Sequence, residues 1–246
     1  GETAARASIY RAFRAPAVRD LYRTSFSGRL LLLPNPDLEP EILTGGEFGV
    51  DHIRGRFSGE ANLYYSEIHD LMTRILVSPG PVIRQKLVNL GASRSRGIEL
   101  QGHWLIGRSW SLAAGYTWAD SIVIDNPSDP SLEGKRVPEV SEHTATAGVK
   151  YLHSSGATGV LRIRSLSTQY ADAANQLPLD AHTVVDVHFS WPVREPFELF
   201  ISGENLFDQE YIVDQAAARR IGQPRQIHAG FRLHYDFPAS SPGGQP

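Results

Sequence analysis

Cysteine is missing from all 246 residues, and methionine occurs once. Without cysteine there is no disulfide, no thiolate nucleophile and no cysteine-ligated metal, although the compartment stays open. A basic field is also lacking: formal net charge is −3, which gives nucleic acid no electrostatic footprint. No apolar run approaches the roughly 20 residues of a membrane helix. The longest, Leu30–Leu33, is closed by Pro34. Enzyme fingerprints are missing as well. There is no G-x-S-x-G elbow, no H-E-x-x-H and no phosphate loop, and no Ser/His/acid set can be placed together by spacing. The first residue is Gly, and "GETAARASIYRAF" lacks the charged-then-apolar layout of a signal peptide, so a piece of a longer chain is expected.

What the chain has in abundance is alternation with period two, the mark of strands with one greasy face. In "RQIHAGFRLHYDF", Ile227, Ala229, Phe231, Leu233, Tyr235 and Phe237 share one face, and the polar residues between them share the other. The pattern recurs at Ala5–Ile9, Phe48–Val50, Phe57–Tyr65, Ile98–Trp104, Trp110–Trp118, Ala145–Tyr151, Val185–Trp191 and Phe197–Gly203. Val160–Tyr170 alternates and then changes phase near Ser165, as a bulge would cause. About ten strands result, several near membrane-crossing length, and no segment shows a helical period.

Short connections near Arg54–Gly55, Leu105–Ser109, Leu152–Gly156 and Pro192–Pro196 take turns with long ones near Ala12–Leu43, Leu76–Arg84, Ile122–Arg136, Ala171–Ala181 and Leu206–Pro224. This parity predicts an all-β, antiparallel up-and-down transmembrane β-barrel with tight turns at one end and long loops at the other. Rings cluster at the tight-turn end. Trp104, Trp110, Tyr151, Trp191, Phe197, Tyr235 and Phe237 form the expected girdle, with Phe57 beside them and Tyr65 and Trp118 on the opposite rim. The greasy face carries no charge, as lipid requires, since an outward Arg or Lys at midplane costs about 2–4 kcal/mol. A β-sandwich, whose inward face would also avoid charge, is the competing fold.

Glu99, Lys150, Arg162, Arg164, Glu198, Glu204 and Arg232 fall on the polar face and are expected to pair with one another or with whatever fills the lumen. Arg14, Arg19, Arg23 and Arg29 crowd the first long loop, and Arg219 and Arg220 the last. They are candidates for an electropositive, ligand-binding mouth, or for solvated loops and lipopolysaccharide phosphate contacts. His182, Asp186 and His188 share a polar face, as do His228 and His234, but neither metal nor haem ligation is expected of them. No cofactor is expected. Phe13, Pro16, Asn35, Pro36 and Pro40 should shape the first loop. Gly97 should mark a bulge or a place where another backbone approaches the wall.

The loops add a resemblance. "FRAP" (Phe13–Pro16), "DLY" (Asp20–Tyr22), "NPDLEPE" (Asn35–Glu41), "VNLGASRSRGIEL" (Val88–Leu100), "VP" (Val137–Pro138), "ENLFDQEY" (Glu204–Tyr211) and "GQPRQ" (Gly222–Gln226) follow in an order and spacing that resembles the C-terminal part of a TonB-dependent outer-membrane receptor. That resemblance covers residues 1–237. It implies about the last ten strands of a twenty-two-stranded barrel in a Gram-negative outer membrane, with a plug domain and TonB-gripping box upstream. It also implies uptake of a scarce nutrient such as a ferric siderophore, cobalamin or haem, and contacts with outer-membrane lipid, lipopolysaccharide and the barrel-assembly machinery. That machinery reads a terminal aromatic, whereas Phe237 is followed by "PASSPGGQP" (238–246), a tail expected to be disordered. A passive plugless pore and a soluble β binding module remain the alternatives.

Overall fold

The computed structural model describes residues 1–78, 81–89, 91–215 and 219–233. Tyr235, Phe237, His234 and the 238–246 tail lie outside the described residues. Ten strands form one antiparallel sheet in which each strand pairs with its neighbour in sequence. Numbered in chain order, these wall strands are β1 (Glu2–Arg14), β2 (Glu41–Arg54), β3 (Phe57–His69), β4 (Ala92–Ile106), β5 (Trp110–Asp125), β6 (His143–Leu152), β7 (Thr158–Leu166), β8 (His182–Arg194), β9 (Phe197–Glu204) and β10 (Gln226–Leu233). No helix among the described residues is long and apolar enough to cross a membrane.

Register carries the one-sided character across the whole sheet. Val50, Ala61, Leu100, Tyr116 and Ala145 are successive cross-strand partners, as are Ala114, Ala147, Ile163 and Val185. A further row runs through Leu161, Val187, Gly203 and Ile227. A slip of one residue anywhere would turn a strand's greasy side inward, so the pattern pins every pairing. Among the described residues no second sheet covers this face: Ile227 and Phe231 are each 65% exposed and Trp104 is 51% exposed. A sandwich is thereby ruled out, and the exposed face is the lipid-facing surface of a barrel wall.

The described turns and loops keep the predicted parity. Tight connections follow β2, β4, β6 and β8, and Gly55 and Gly107 supply the positive φ that two of them need. Long loops follow β1, β3, β5, β7 and β9. The loops hold more order than alternation foretold. A five-residue helical turn, Val18–Tyr22, is too short to show a period. Segments Ser25–Ser27, Leu30–Leu33, Ile83–Asn89 and Met72–Ser78 form a small sheet joining the first two loops, and Leu30–Leu33 runs parallel to Ile83–Lys86. Parallel pairing needs strands from separate excursions of the chain, which sequence periodicity does not reveal.

The bulge expected near Ser165 does not occur. β7 pairs with β6 and β8 without a register break up to Leu166, and the phase change marks the end of the strand. Register shifts occur instead at Ala92–Ser93 against β5 and at Pro192–Arg194 against β9. Buried apolar side chains are few. Leu31, Leu38, Ala171 and Leu179 sit beneath the loops, while Ala92, Ala119 and Val184 lie in the outer halves of wall strands. The core of this chain is therefore at the feet of its long loops, because the rest of the wall looks outward to lipid or inward to the lumen.

Candidate functional site

Each strand offers the lumen every second side chain, and the largest of these lie flat on glycines. Arg6 faces Gly49, Tyr10 faces Gly45, Tyr64 faces Gly97, Thr146 faces Gly115, and Phe200 faces Gly230, each as direct cross-strand partners. In all five pairs a Cβ on the glycine would collide with the facing side chain. An aromatic ring laid over a cross-strand glycine restores the contact that the glycine lacks. This corrects the expectation for Gly97. It is neither a bulge nor a foreign backbone's landing place, since Tyr64 covers it and the Trp118 carbonyl stands close by.

Charge on the lumenal face is arranged in sectors. Toward β1, Arg6 bonds Asp51, Glu60 and, at 2.6 Å, Asn62 Oδ1. Toward β10, Arg232 pairs with Glu198 at 2.6 Å and lies 4.8 Å from the centroid of the Phe200 ring. Glu204 accepts a bond from Gln223 Nε2 at 2.9 Å. Between these sectors, Lys150, Arg162 and Arg164 have no ion-pair or hydrogen-bond partner among the described residues. Glu99 stands near Tyr64 and likewise has no ion pair there.

The loops are tied at their feet by buried or half-buried amides and a buried carboxylate. Asn35 donates to the Leu87 carbonyl at 2.8 Å while its backbone N–H bonds the Asp20 carbonyl. Asn89 donates to the carbonyls of Glu39 and Asp70 and accepts from the Glu39 N–H. The Glu41 carboxylate accepts from the Met72 N–H at 2.8 Å and from Arg14 at 2.5 Å. Asn175 clamps both backbone groups of Arg136. Asn205, only 3% exposed, donates to the carbonyls of Gln209 and Gln223 and accepts from the Gln209 N–H. It does so with φ of +48°, a region that asparagine tolerates better than most residues. "NPDLEPE", "VNLG" and "ENLFDQEY" are thus structural knots.

The loop arginines are mostly committed. Arg14 is held by Glu41, Arg19 by Asp20 at 3.4 Å, Arg219 by Glu210 at 3.7 Å and Arg220 by Asp214 at 3.0 Å. Arg29 donates to the Pro81 carbonyl. Arg23 has no ion pair among the described residues. Nearby acids therefore neutralise much of the expected electropositive mouth. In the fourth loop, burial pushes the Asp172 carboxyl up, but the N–H groups of Leu177 and Gln176 outweigh this and hold it below the usual carboxylate range. The histidines do not converge: His182 stacks on Tyr211 at 4.2 Å and His188 lies 6.1 Å from Phe200. Among the described residues no cluster of three metal-ligating side chains occurs.

On the outward face, rings crowd the tight-turn end. Trp104 faces Phe57, Trp110 packs on Tyr151 with centroids 4.5 Å apart, and Trp191 and Phe197 border the turn after β8. Toward the loops the first outward charges are Arg96 and Asp120, which pair at 2.9 Å one step beyond Ile98 and Trp118. Tyr65 lies opposite Arg96. Sequence reasoning passed over Arg6, Asn89, Asn175 and Tyr64. Their one signal was a polar-face residue facing a polar-face glycine or a loop backbone, legible only once register is known.

A one-sided antiparallel wall with tight turns at one end and knotted loops at the other defines a bacterial outer-membrane barrel. Residues 2–206 match the family described as TonB dependent receptor-like, beta-barrel, and the chain belongs to that family. It is 28% identical over 204 residues to the vitamin B12 transporter BtuB of Photobacterium profundum, covering 82% of this chain and 31% of that protein. It is 25% identical over 130 residues to the ferrichrome outer membrane transporter/phage receptor of Escherichia coli (strain K12), covering 50% of this chain and 17% of that protein. The ferric yersiniabactin uptake receptor FyuA of Yersinia pestis shares the fold, with a TM-score of 0.73 at 17% identity over 95% of this chain and 35% of that one. The chain thus spans about a third or less of the length of these relatives, which are receptors and transporters. Its place is the outer membrane of a Gram-negative bacterium.

Proposed function

We propose that this chain is wall and loop structure of a receptor that imports a scarce nutrient chelate, a ferric siderophore, cobalamin or haem, with energy relayed by TonB. On this reading a plug domain fills the lumen and carries the TonB contact, the barrel-assembly machinery inserts the wall, and lipopolysaccharide meets the outward rim near Arg96. The described residues up to Leu233 act as barrel. The outward rings sit at the headgroup level. Cargo meets the long loops. No catalytic role is assigned.

One observation carries this reading: the identity to a cobalamin transporter runs through 204 residues, long enough to take in wall strands and loop feet together. The knots serve such a role, since cargo recognition needs variable tips on fixed feet. The complete gene product, expressed in a receptor-deficient Gram-negative host with and without TonB, tests it. Uptake of ferric siderophores, cobalamin or haem that requires TonB is the expected result. Uptake equal in both hosts would make the protein a passive pore and refute the proposal.

A further inference from the structure

The two rims of the wall keep their charges differently. At the loop end the first outward cations, Arg94 and Arg96, share Asp120 at 3.4 and 2.9 Å. At the tight-turn end arginines gather without such a partner. Arg54 and Arg56 lie about the turn after β2, Arg108 in the turn after β4 and Arg194 at the end of β8. Among the described residues none of them has an ion pair. The acid within these turns is Glu195, and Glu2, in register with Ile53, falls on the lumenal face. The other lumenal acids at this end, Asp51, Glu60 and Glu198, are held by Arg6 and Arg232.

Two of the arginines leave the wall on its lipid side. Arg54 is the cross-strand partner of Phe57, and Phe57 that of Trp104. Arg194 is the partner of Phe197. Cross-strand partners share a face, so both guanidinium groups start beside outward rings that mark the headgroup level. From there a long side chain carries its charge into the phosphate layer while its methylenes stay on the rings. Tight turns of such barrels face the periplasm, so the layer reached is the phospholipid leaflet. A planar guanidinium matches two oxygens of a phosphate. All four arginines are exposed, as contact with lipid requires. An acidic periplasmic protein would approach the turns end-on and would make no use of the outward aim of Arg54 and Arg194. We infer that Arg54, Arg56, Arg108 and Arg194 form a docking rim for anionic phospholipid headgroups of the periplasmic leaflet. This goes beyond the receptor reading, since it holds whatever cargo is carried.

The test uses the full-length receptor refolded into phosphatidylcholine vesicles, with dibrominated phosphatidylglycerol or dibrominated phosphatidylcholine added to quench tryptophan fluorescence. Trp104, Trp110 and Trp191 stand beside these turns and report the lipid there. The expected result is a preference of at least about fivefold for the anionic lipid. In the variant Arg54→Gln, Arg56→Gln, Arg108→Gln, Arg194→Gln the preference should fall to parity. Arg94→Gln with Arg96→Gln, at the other rim, should keep it. Wild type supplies a second measurement that needs no variant: about 1 M salt should remove most of the preference, because exposed charges are screened. Equal quenching by the two lipids in wild type overturns the inference, as does a preference that persists at high salt or in the refolded fourfold variant. A preference lost in the Arg94 and Arg96 variant also overturns it, by placing the anionic lipid at the loop rim.

Discussion

Leu100→Arg tests the assignment of faces most directly. Leu100 lies on the outward side of β4, four residues from Trp104 toward the tight turns and four from Arg96 toward the loops. At about 3.4 Å per residue it is some 13 Å along the strand from each, or roughly 10 Å in depth at a tilt near 40°. An arginine there snorkels poorly in either direction, so the full midplane cost of about 2–4 kcal/mol should appear. Its neighbour Gln101 points to the lumen, and Gln101→Arg should fall within about 0.5 kcal/mol of wild type, as surface substitutions do. Both are measured as denaturant midpoints of the full-length receptor refolded into phospholipid vesicles, with unchanged slopes confirming comparable transitions. Equal midpoints for the two variants would refute the assignment of lipid to the greasy face. A larger loss for Gln101→Arg would reverse it.

Gly97→Ala should destabilise the wall by about 1–3 kcal/mol, because the new methyl meets the Trp118 carbonyl and the Tyr64 ring. Gly159→Ala, which meets open space, serves as the near-neutral control in the same assay. Asn205→Ala removes the side-chain bonds that hold the Gln209 and Gln223 backbone, at about 1 kcal/mol for each lost bond. Faster protease cleavage within 206–225, with the wall intact, is the expected readout. Asp172 has a lowered carboxyl pKa, so its support for the fourth loop is fully present above the ordinary carboxylate range and is lost as pH falls through the lowered value. Exchange of the Gln176 and Leu177 amides should therefore rise only at strongly acidic pH in wild type. In Asp172→Asn it should already be raised at neutral pH, and a pH-independent, unchanged rate would refute the role.

Much of the wall was legible without coordinates. Alternation is a local property of extended backbone, so Phe57–Tyr65 or Trp110–Trp118 declared strand, face and lipid contact from neighbours two residues apart. Parity of short and long connections then ordered the strands, and that parity, the strand lengths and the rings gathered at one end favoured lipid over a second sheet. β1 and β2 extend well beyond the alternating cores Ala5–Ile9 and Phe48–Val50, because above the membrane neither face has to be apolar.

The loop feet and the lumenal partners were not legible. Arg6 meets Glu60 from 54 residues away, and Asn35 meets Leu87 from 52. Such contacts depend on register and on which loops share a rim, and no local period records either. Gly97 shows the limit clearly. A glycine in a strand announces a special backbone site, but only pairing with β3 reveals that Tyr64 is what it accommodates. Sequence alone determined the period-two pattern and hence the two solvents of the wall, since backbone geometry and lipid act on every residue individually. The tertiary structure decided which side chains meet, since that follows from distant strands coming into register.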